Sequence, residues 1–440
     1  MKRMITLLTV AAAVNAQAQW TMDDCIRYAV SHAASVQRQT VEVAKARTDV
    51  GLALSSFVPT VSASVSSQYS WGRNVDPETN TYNTTTTFNN YYSVGTSLRV
   101  FDGGQSINRL RQARLLRRQG LTKLQQVQDD KAIEVMQKYV DAVYAQQCVA
   151  LATERLAESR SLLTKTQRME QLGMKGMPDV AQVEAQAAED DYNLTHQQNQ
   201  LQTAMLALKS AMNYSLSEEL RVKSEEFATA VPAGEGMAAA NSSLFTLHSS
   251  LPAALAAEQG VRSAQLNHQI AKGRLLPSLS LQAGLSTSYF RSLTGGVAAP
   301  PFHSQFTGNM GEYVMATLSL PVFDLSNHKE IRKARQNVEL AVIERDETLR
   351  QLADDARQAA LDCEGYAKET LKMERKVQSD SVAYHLSRRK YEEGMLSTFD
   401  LHTAANTLLE SRIRLLQTRL LYVIKQRLVT YYQEGKLWTE

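Results

Sequence analysis

Residues able to do chemistry are present in this chain, but their spacing forms no catalytic constellation. The eight histidines are scattered singly, and no HExxH, CxxC, GxSxG or Walker-type loop occurs. Adjacent acids occur three times, as Asp129-Asp130, Asp190-Asp191 and Asp354-Asp355. All three pairs fall in helical stretches, where consecutive side chains point about 100° apart. They read as solvated helix faces rather than as a general acid facing a general base. The cysteines, Cys25, Cys148 and Cys363, are widely separated and odd in number, which does not describe a disulfide framework. The sequence predicts no enzyme, no metal and no cofactor. A formal net charge of +3, from 48 Lys plus Arg against 45 Asp plus Glu, lacks the basic excess of a nucleic-acid binder.

Two further acids stand at marked positions. Asp179 follows Gly173 and Gly176, and Asp400 follows Gly394 and Ser397, with the same spacing. Each glycine falls where a long helical stretch stops and suits a left-handed C′ residue. Gly176 and Ser397 then serve as N-caps of the next helix and place Asp179 and Asp400 at N3, where an acid favours the helix dipole. Structural capping is the role that this spacing supports for both aspartates.

The matching spacing belongs to a wider duplication. Val58-Pro59-Thr60-Val61-Ser62 returns as Leu276-Pro277-Ser278-Leu279-Ser280, 218 residues later. Val100-Phe101-Asp102 returns as Val322-Phe323-Asp324 at an offset of 222, and Gly173…Asp179 returns as Gly394…Asp400 at 221. Three ordered landmarks at nearly one offset mark two copies of one unit. The predicted organisation is a signal peptide over 1–18, repeat 1 over 19–215, an inter-repeat linker over 216–250, and repeat 2 over 251–440. The signal peptide is read from Lys2 and Arg3, the apolar run Ile5 to Val14, and Ala16-Gln17-Ala18. The linker is read from Pro232, Gly234 and Gly236.

Each repeat holds two segments of period-2 alternation, about 58–71 and 91–101, then about 277–290 and 313–323. Val61, Ala63, Val65, Tyr69 and Trp71 alternate with small polar residues, and so do Leu279, Leu281, Ala283 and Leu285. Strands of roughly ten residues, apolar on one face, fit the wall of a transmembrane β-barrel. An ordinary soluble sandwich is the competing reading. Tyr69, Trp71, Tyr91, Tyr92, Tyr289, Phe290 and Tyr313 cluster at one end and Phe101 and Phe323 at the other, as two interfacial girdles would. The segments from Gly72 to Asn90 and from Arg291 to Glu312 read as long polar loops outside the cell.

Most of the remainder reads as helix. No proline interrupts Gly103 to Leu172, long enough at helical rise to span roughly 105 Å. The stretch from Ser326 to Glu393 repeats this feature, and heptad-like apolar spacing predicts coiled-coil pairing. Arg109, Arg111, Arg114, Arg117 and Arg118 follow the second strand, and Lys329, Arg332, Lys333 and Arg335 the fourth. They lie either near anionic headgroups and the conduit wall or on a plain solvated face. Four strands cannot stand in lipid with two open edges, so copies must close the sheet. Multiples of four give eight, twelve or sixteen strands.

This duplicated plan of strand hairpins and long helices resembles the TolC family of outer-membrane efflux proteins. The resemblance rests on Leu276-Pro277-Ser278-Leu279-Ser280, Val322-Phe323-Asp324, the Gly394…Asp400 turn and the opening Trp20-Thr21-Met22-Asp23-Asp24-Cys25. It implies a mixed α/β membrane protein, a homotrimer with a 12-stranded β-barrel in outer-membrane lipid and a periplasmic α-helical tunnel. It also implies a periplasmic adaptor and an inner-membrane pump of the RND or ABC type as partners, with drugs or proteins as cargo. The two turns would form the periplasmic tip, with Asp400 lining the constriction and Asp179 on the neighbouring hairpin. Tyr391 matches a tip tyrosine that helps hold the entrance closed. Leu396 stands where a basic lock residue can occur, and Thr403 where some members carry a second acid. A periplasmic coiled-coil adaptor or scaffold without a barrel is the alternative function.

Overall fold

The computed structural model describes residues 19–75, 80–215, 217, 220–223, 251–294, 299–435 and 437–438. The expected signal peptide and most of the expected linker, with Pro232, Gly234 and Gly236, lie outside the described residues. The elements run α1 (Met22–His32), α2 (Ala34–Ser55), β1 (Thr60–Val75), β2 (Tyr82–Asp102), α3 (Gln105–Gln171), α4 (Met177–Met212), α5 (Pro252–Gly273), β3 (Ser278–Ser292), α6 (Phe302–Gly308), β4 (Gly311–Ser319), α7 (Leu325–Glu392) and α8 (Thr398–Glu434). The duplication is visible in this order: a strand pair, a helix of 67 or 68 residues, a turn, then a helix of 36 or 37.

The chain divides into two compact units. One comprises residues 42–121 and 256–347 and holds the sheet; the other comprises residues 1–41, 122–255 and 348–440. In the first, the strands form one antiparallel sheet in the order β1-β2-β3-β4. Its register aligns Val65 with Tyr92 and Tyr92 with Thr287, Ala63 with Val94 and Val94 with Leu285, and Ala283 with Val314. One face therefore carries the valines and leucines, and it is exposed: Val65 at 69%, Trp71 at 73% and Val314 at 81%. The opposite face carries serines, some paired directly across strands, such as Ser64 with Ser93 at 2.7 Å.

The repeated sequence landmarks sit at the junctions. Pro59 and Pro277, which lack an N–H, immediately precede the first ladder residues Thr60 and Ser278. The two Val-Phe-Asp copies turn strand into helix. Asp102 accepts from the Ser106 amide and hydroxyl, and Asp324 accepts from the Ser326 and Asn327 amides. Asp324 holds the N-cap position of α7, and Asp102, two residues before that position of α3, supplies the same kind of acceptor to amides that would otherwise lack partners.

Three expectations are corrected in the sheet. Residues 72–90 are not a long loop: β1 runs to Val75 and β2 starts at Tyr82, because the β-branched run Thr84–Thr87 suits a ladder. β4 ends at Ser319, since Pro321 cannot donate to a ladder, so Phe323 lies beyond the sheet and is 83% exposed. The residues 291–312 also hold a short helix, α6.

In the second unit, α1, α3, α4 and α8 bury Cys25, Ile26, Val135, Met136, Tyr139, Val143, Leu208, Met212 and Leu420 together. Thr21 caps α1, its side chain accepting from the Asp24 amide while the Thr21 amide donates to Asp24. Residues 220–223, expected to be linker, pack here. Trp20 and Val222 pair in parallel, and the Tyr139 hydroxyl donates to the carbonyls of Trp20 and Lys223 at 2.9 and 3.0 Å. Burial pushes the Cys25 thiol up to about 12, so it behaves as a small apolar side chain.

Candidate functional site

The two helix turns are built alike. In α3, the Gly173 amide donates to the Glu170 carbonyl and the Met174 amide to Met169; in α7, Gly394 donates to Tyr391 and Met395 to Lys390. This paired pattern is a Schellman ending, which needs a left-handed residue. Gly173 has φ of 73° and Gly394 of 78°, with no atom within 4 Å of an added Cβ, so backbone conformation alone demands glycine.

The next helices start as expected. The Gly176 amide donates to Asp179 Oδ2 at 3.3 Å. The Asp400 amide donates to Ser397 Oγ at 3.1 Å, and that hydroxyl donates to Asp400 Oδ2 at 2.6 Å. Asp179 also reaches the other turn, where its Oδ1 accepts from the buried Thr398 hydroxyl at 2.9 Å. Asp400 and Thr403 stay exposed, and the Thr403 hydroxyl donates back to the Phe399 carbonyl.

Tyr391 lies at the centre of the contact between the turns and is 1% exposed. It packs with Tyr384, Leu401, Ala405 and Leu408, and its hydroxyl lies 3.0 Å from that of Thr166 on α3. Lys175, from the turn between α3 and α4, sits over its ring at 4.6 Å, within cation–π range. Beside it, Lys165 pairs with Glu392 at 2.9 Å, and this contact is the first cause holding the Glu392 carboxyl below its ordinary range. Leu396 is partly buried against the same cluster, so the absence of a basic residue there is matched by apolar packing.

Further along α3 lies a buried ionic group that the sequence reading missed. Asp190 faces Arg155 at 3.3 Å, and both side chains are at most 10% exposed. Asp190 also accepts from Gln186 at 3.0 Å and from Ser159, while Arg155 donates to Asn406 at 3.4 Å. His402 packs beside them; its Nε2 is buried without a partner among the described residues. Desolvation first, then Arg155, lowers its pKa, against the opposing pull of Asp190.

Asp129 is the second exception to the solvated-face reading. It is 2% exposed and accepts from Tyr431 at 3.0 Å and Gln125 at 3.2 Å. The 100° offset between neighbours is the reason: burying one acid turns its partner, Asp130 or Asp191, outward. Asp354 and Asp355 are both exposed, as expected. Nothing here pairs an acid with a base across an open cleft. No metal-holding cluster of three or more His, Cys, Asp or Glu occurs among the described residues.

The aromatic residues on the sheet divide by face. Tyr69, Trp71, Tyr92 and Tyr289 share the apolar face, and a register shift between Arg99 and Phe101 returns Phe101 to it. Tyr91, Phe290 and Tyr313 fall on the serine face, so they leave the expected girdle. No described helix is long and apolar enough to cross a membrane, which says nothing of the sheet.

A profile of the family described as "Outer membrane efflux protein" matches residues 25–214 and 247–430. No curated protein matches the sequence. Among solved structures, CusC, whose study concerns folding and transmembrane channel formation, is similar at TM-score 0.78 and 17% identity. That alignment covers 94% of this chain and 92% of the other. The Campylobacter jejuni CmeC outer membrane channel is similar at TM-score 0.78 and 15% identity, covering 95% and 87%. The outer membrane protein VceC of Vibrio cholerae gives 0.76 and 15%, covering 94% and 96%. Those likenesses establish the fold, and the profile spans most of both repeats. The chain belongs to the outer membrane efflux protein family, which favours an efflux protein of the outer membrane over a periplasmic coiled-coil scaffold.

Proposed function

We propose that this chain is the passive exit duct of a tripartite efflux or secretion system and works as a homotrimer. One observation carries the reading: the four-stranded sheet exposes a continuous apolar face and leaves β1 and β4 as open edges. In lipid, unpaired edge amides cost several kcal/mol each, so β4 must meet β1 of another copy. Three copies give the closed twelve-stranded barrel that the family resemblance implies. Tyr69, Trp71, Tyr92 and Tyr289 then sit at the outer interface and Phe101 at the inner one.

The duct has no energy source of its own, so opening comes from a periplasmic adaptor and an inner-membrane pump of the RND or ABC type. They act at the two turns, where Asp400 lines the constriction and Asp179 ties one hairpin to the other. Exposed Met174, Met177, Met395 and Phe399 give the turns an adaptable apolar docking surface. The cargo is drugs or other exported molecules.

The test is single-channel recording of the purified protein in planar bilayers. Discrete conductance steps support the duct, and a protein that never conducts contradicts it. Asp400→Ala should change conductance or cation preference; an unchanged current removes Asp400 from the gate while leaving the fold intact.

A further inference from the structure

The sheet is uneven at the end that carries Tyr69 and Trp71. β4 begins at Gly311, opposite Ser286, while β3 runs on to Ser292. The side of β3 that β4 would cover is therefore without a strand over its last residues. Side chains replace it. Gln305 of α6 accepts the Phe290 amide at 2.9 Å and donates to the Phe290 carbonyl at 3.0 Å, as a paired strand residue would. Asn309 donates to the Ser288 carbonyl at 2.8 Å.

The same helix lies on the apolar face of the sheet. Phe306 meets Tyr92 at 5.4 Å and Phe302 meets Tyr289 at 5.5 Å, with the two phenylalanines 5.4 Å apart. The Thr287 hydroxyl, on that face, is buried and donates to the Phe306 carbonyl at 2.7 Å. Outward, α6 and its flanks expose Pro300, Pro301, Phe302 and Met310 together with His303, Ser304, Thr307 and Asn309, the mixed character of an interfacial segment. No Asp, Glu, Lys or Arg occurs between Arg291 and Glu312, whereas the β1–β2 connection carries Asp76 and Glu78. Water does not require a connection to be both uncharged and satisfied along its strand edge. An apolar interface requires both.

We infer that α6, with the residues from Ala299 to Met310 around it, is lodged at the outer membrane interface. There Gln305 and Asn309 seal the edge of β3 where β4 has ended. This rests on the proposal that the apolar face of the sheet meets lipid. The partner is the interfacial zone of the outer leaflet, where amphipathic rings such as Phe302, Tyr92 and Tyr289 are favoured.

The test uses the full mature protein with Trp20, Trp71 and Trp438 changed to Phe, reconstituted in phosphatidylcholine vesicles. The acyl chains are brominated either near the headgroup or near the bilayer centre. His303→Trp reports on α6 without disturbing the ring cluster, and Met310→Trp is a second reporter. Val314→Trp, on the exposed apolar face of β4, reports on the sheet itself. The inference expects His303→Trp and Met310→Trp to lose roughly half their emission to the shallow bromines and Val314→Trp to lose as much to the deep ones. If Val314→Trp is quenched but both α6 reporters respond only to aqueous iodide, the inference is overturned and the channel reading stands. If Val314→Trp is unquenched by either lipid, the membrane wall fails and the inference falls with it.

Discussion

Asp129 links pH to the stability of the helical unit, and replacing it isolates that link. Its carboxylate is buried between α3 and α8 with hydrogen bonds from Tyr431 and Gln125 but no cation partner among the described residues. Burial is the first cause that raises its pKa from 3.8 to about 6, against the two hydrogen bonds, with Asp130 adding to the rise. The folded value lies above the unfolded one, so the charged form is the costly one. The associated stability is fully present below the unfolded value and is lost as pH rises through about 6. The whole shift corresponds to about 3 kcal/mol, of which about 1.4 kcal/mol is lost between pH 5 and pH 8. Asp129→Asn keeps an acceptor for Tyr431 and has no charge to bury. Thermal unfolding followed by helical circular dichroism should show the variant melting about 6–12 °C above the wild type at pH 8, at roughly 2–4 °C per kcal/mol. The gap should narrow by about 3–5 °C at pH 5, and because the two proteins share every other ionisable group, the difference reports on Asp129 and its coupling to Asp130. A gap that is constant with pH, or widest at pH 5, refutes the reasoning.

Three more outcomes follow from the same unit. Asp190→Ala strands Arg155 in a buried setting and should cost about 3–5 kcal/mol, read as a large fall in melting temperature, whereas Asp191→Ala, on the exposed side, should cost under about 1 kcal/mol. Gly394→Ala places a Cβ at φ of 78°, and the left-handed strain should cost about 1 kcal/mol by denaturant unfolding with no loss of packing. Tyr391→Phe removes the bond to Thr166 but keeps the ring beneath Lys175. It should cost about 1 kcal/mol and lengthen open dwell times in bilayer recordings, and unchanged dwell times would remove Tyr391 from the gate.

Much of this architecture was legible because it is written twice. The Val-Phe-Asp copies, the Pro-Thr and Pro-Ser strand starts and the Gly…Asp turns each depend on local geometry, which a short motif can encode. Gly173 and Gly394 as left-handed endings are of this kind, while the capping by Asp102 and Asp324 is just as local but was not read from the sequence. The misread parts depend on contacts far apart in the chain. Asp129 looks solvated until Tyr431 from α8 is seen beside it, and Asp190 until Arg155 is. The Thr84–Thr87 run looked like a polar loop because composition outweighed β-branching, and only its register with Gly72 and Arg73 shows the ladder. α6, seven residues after two prolines, has no periodicity to read, and Gln305 acquires meaning only from the unpaired edge of β3. At the turns, spacing marked Asp179 and Asp400, whereas Tyr391 was singled out only by the family resemblance. Thr166, Lys175 and Thr398, which tie the hairpins, carry no sequence signal of their own.

The central claim is that the open-edged sheet closes with other copies in the outer membrane. Membrane fractionation, followed by native mass spectrometry of the detergent-extracted mature protein, tests it most directly. A trimer confined to the outer-membrane fraction is the predicted result. A soluble periplasmic monomer would contradict it, because the edges of β1 and β4 would then stand unpaired in water rather than closed in a barrel.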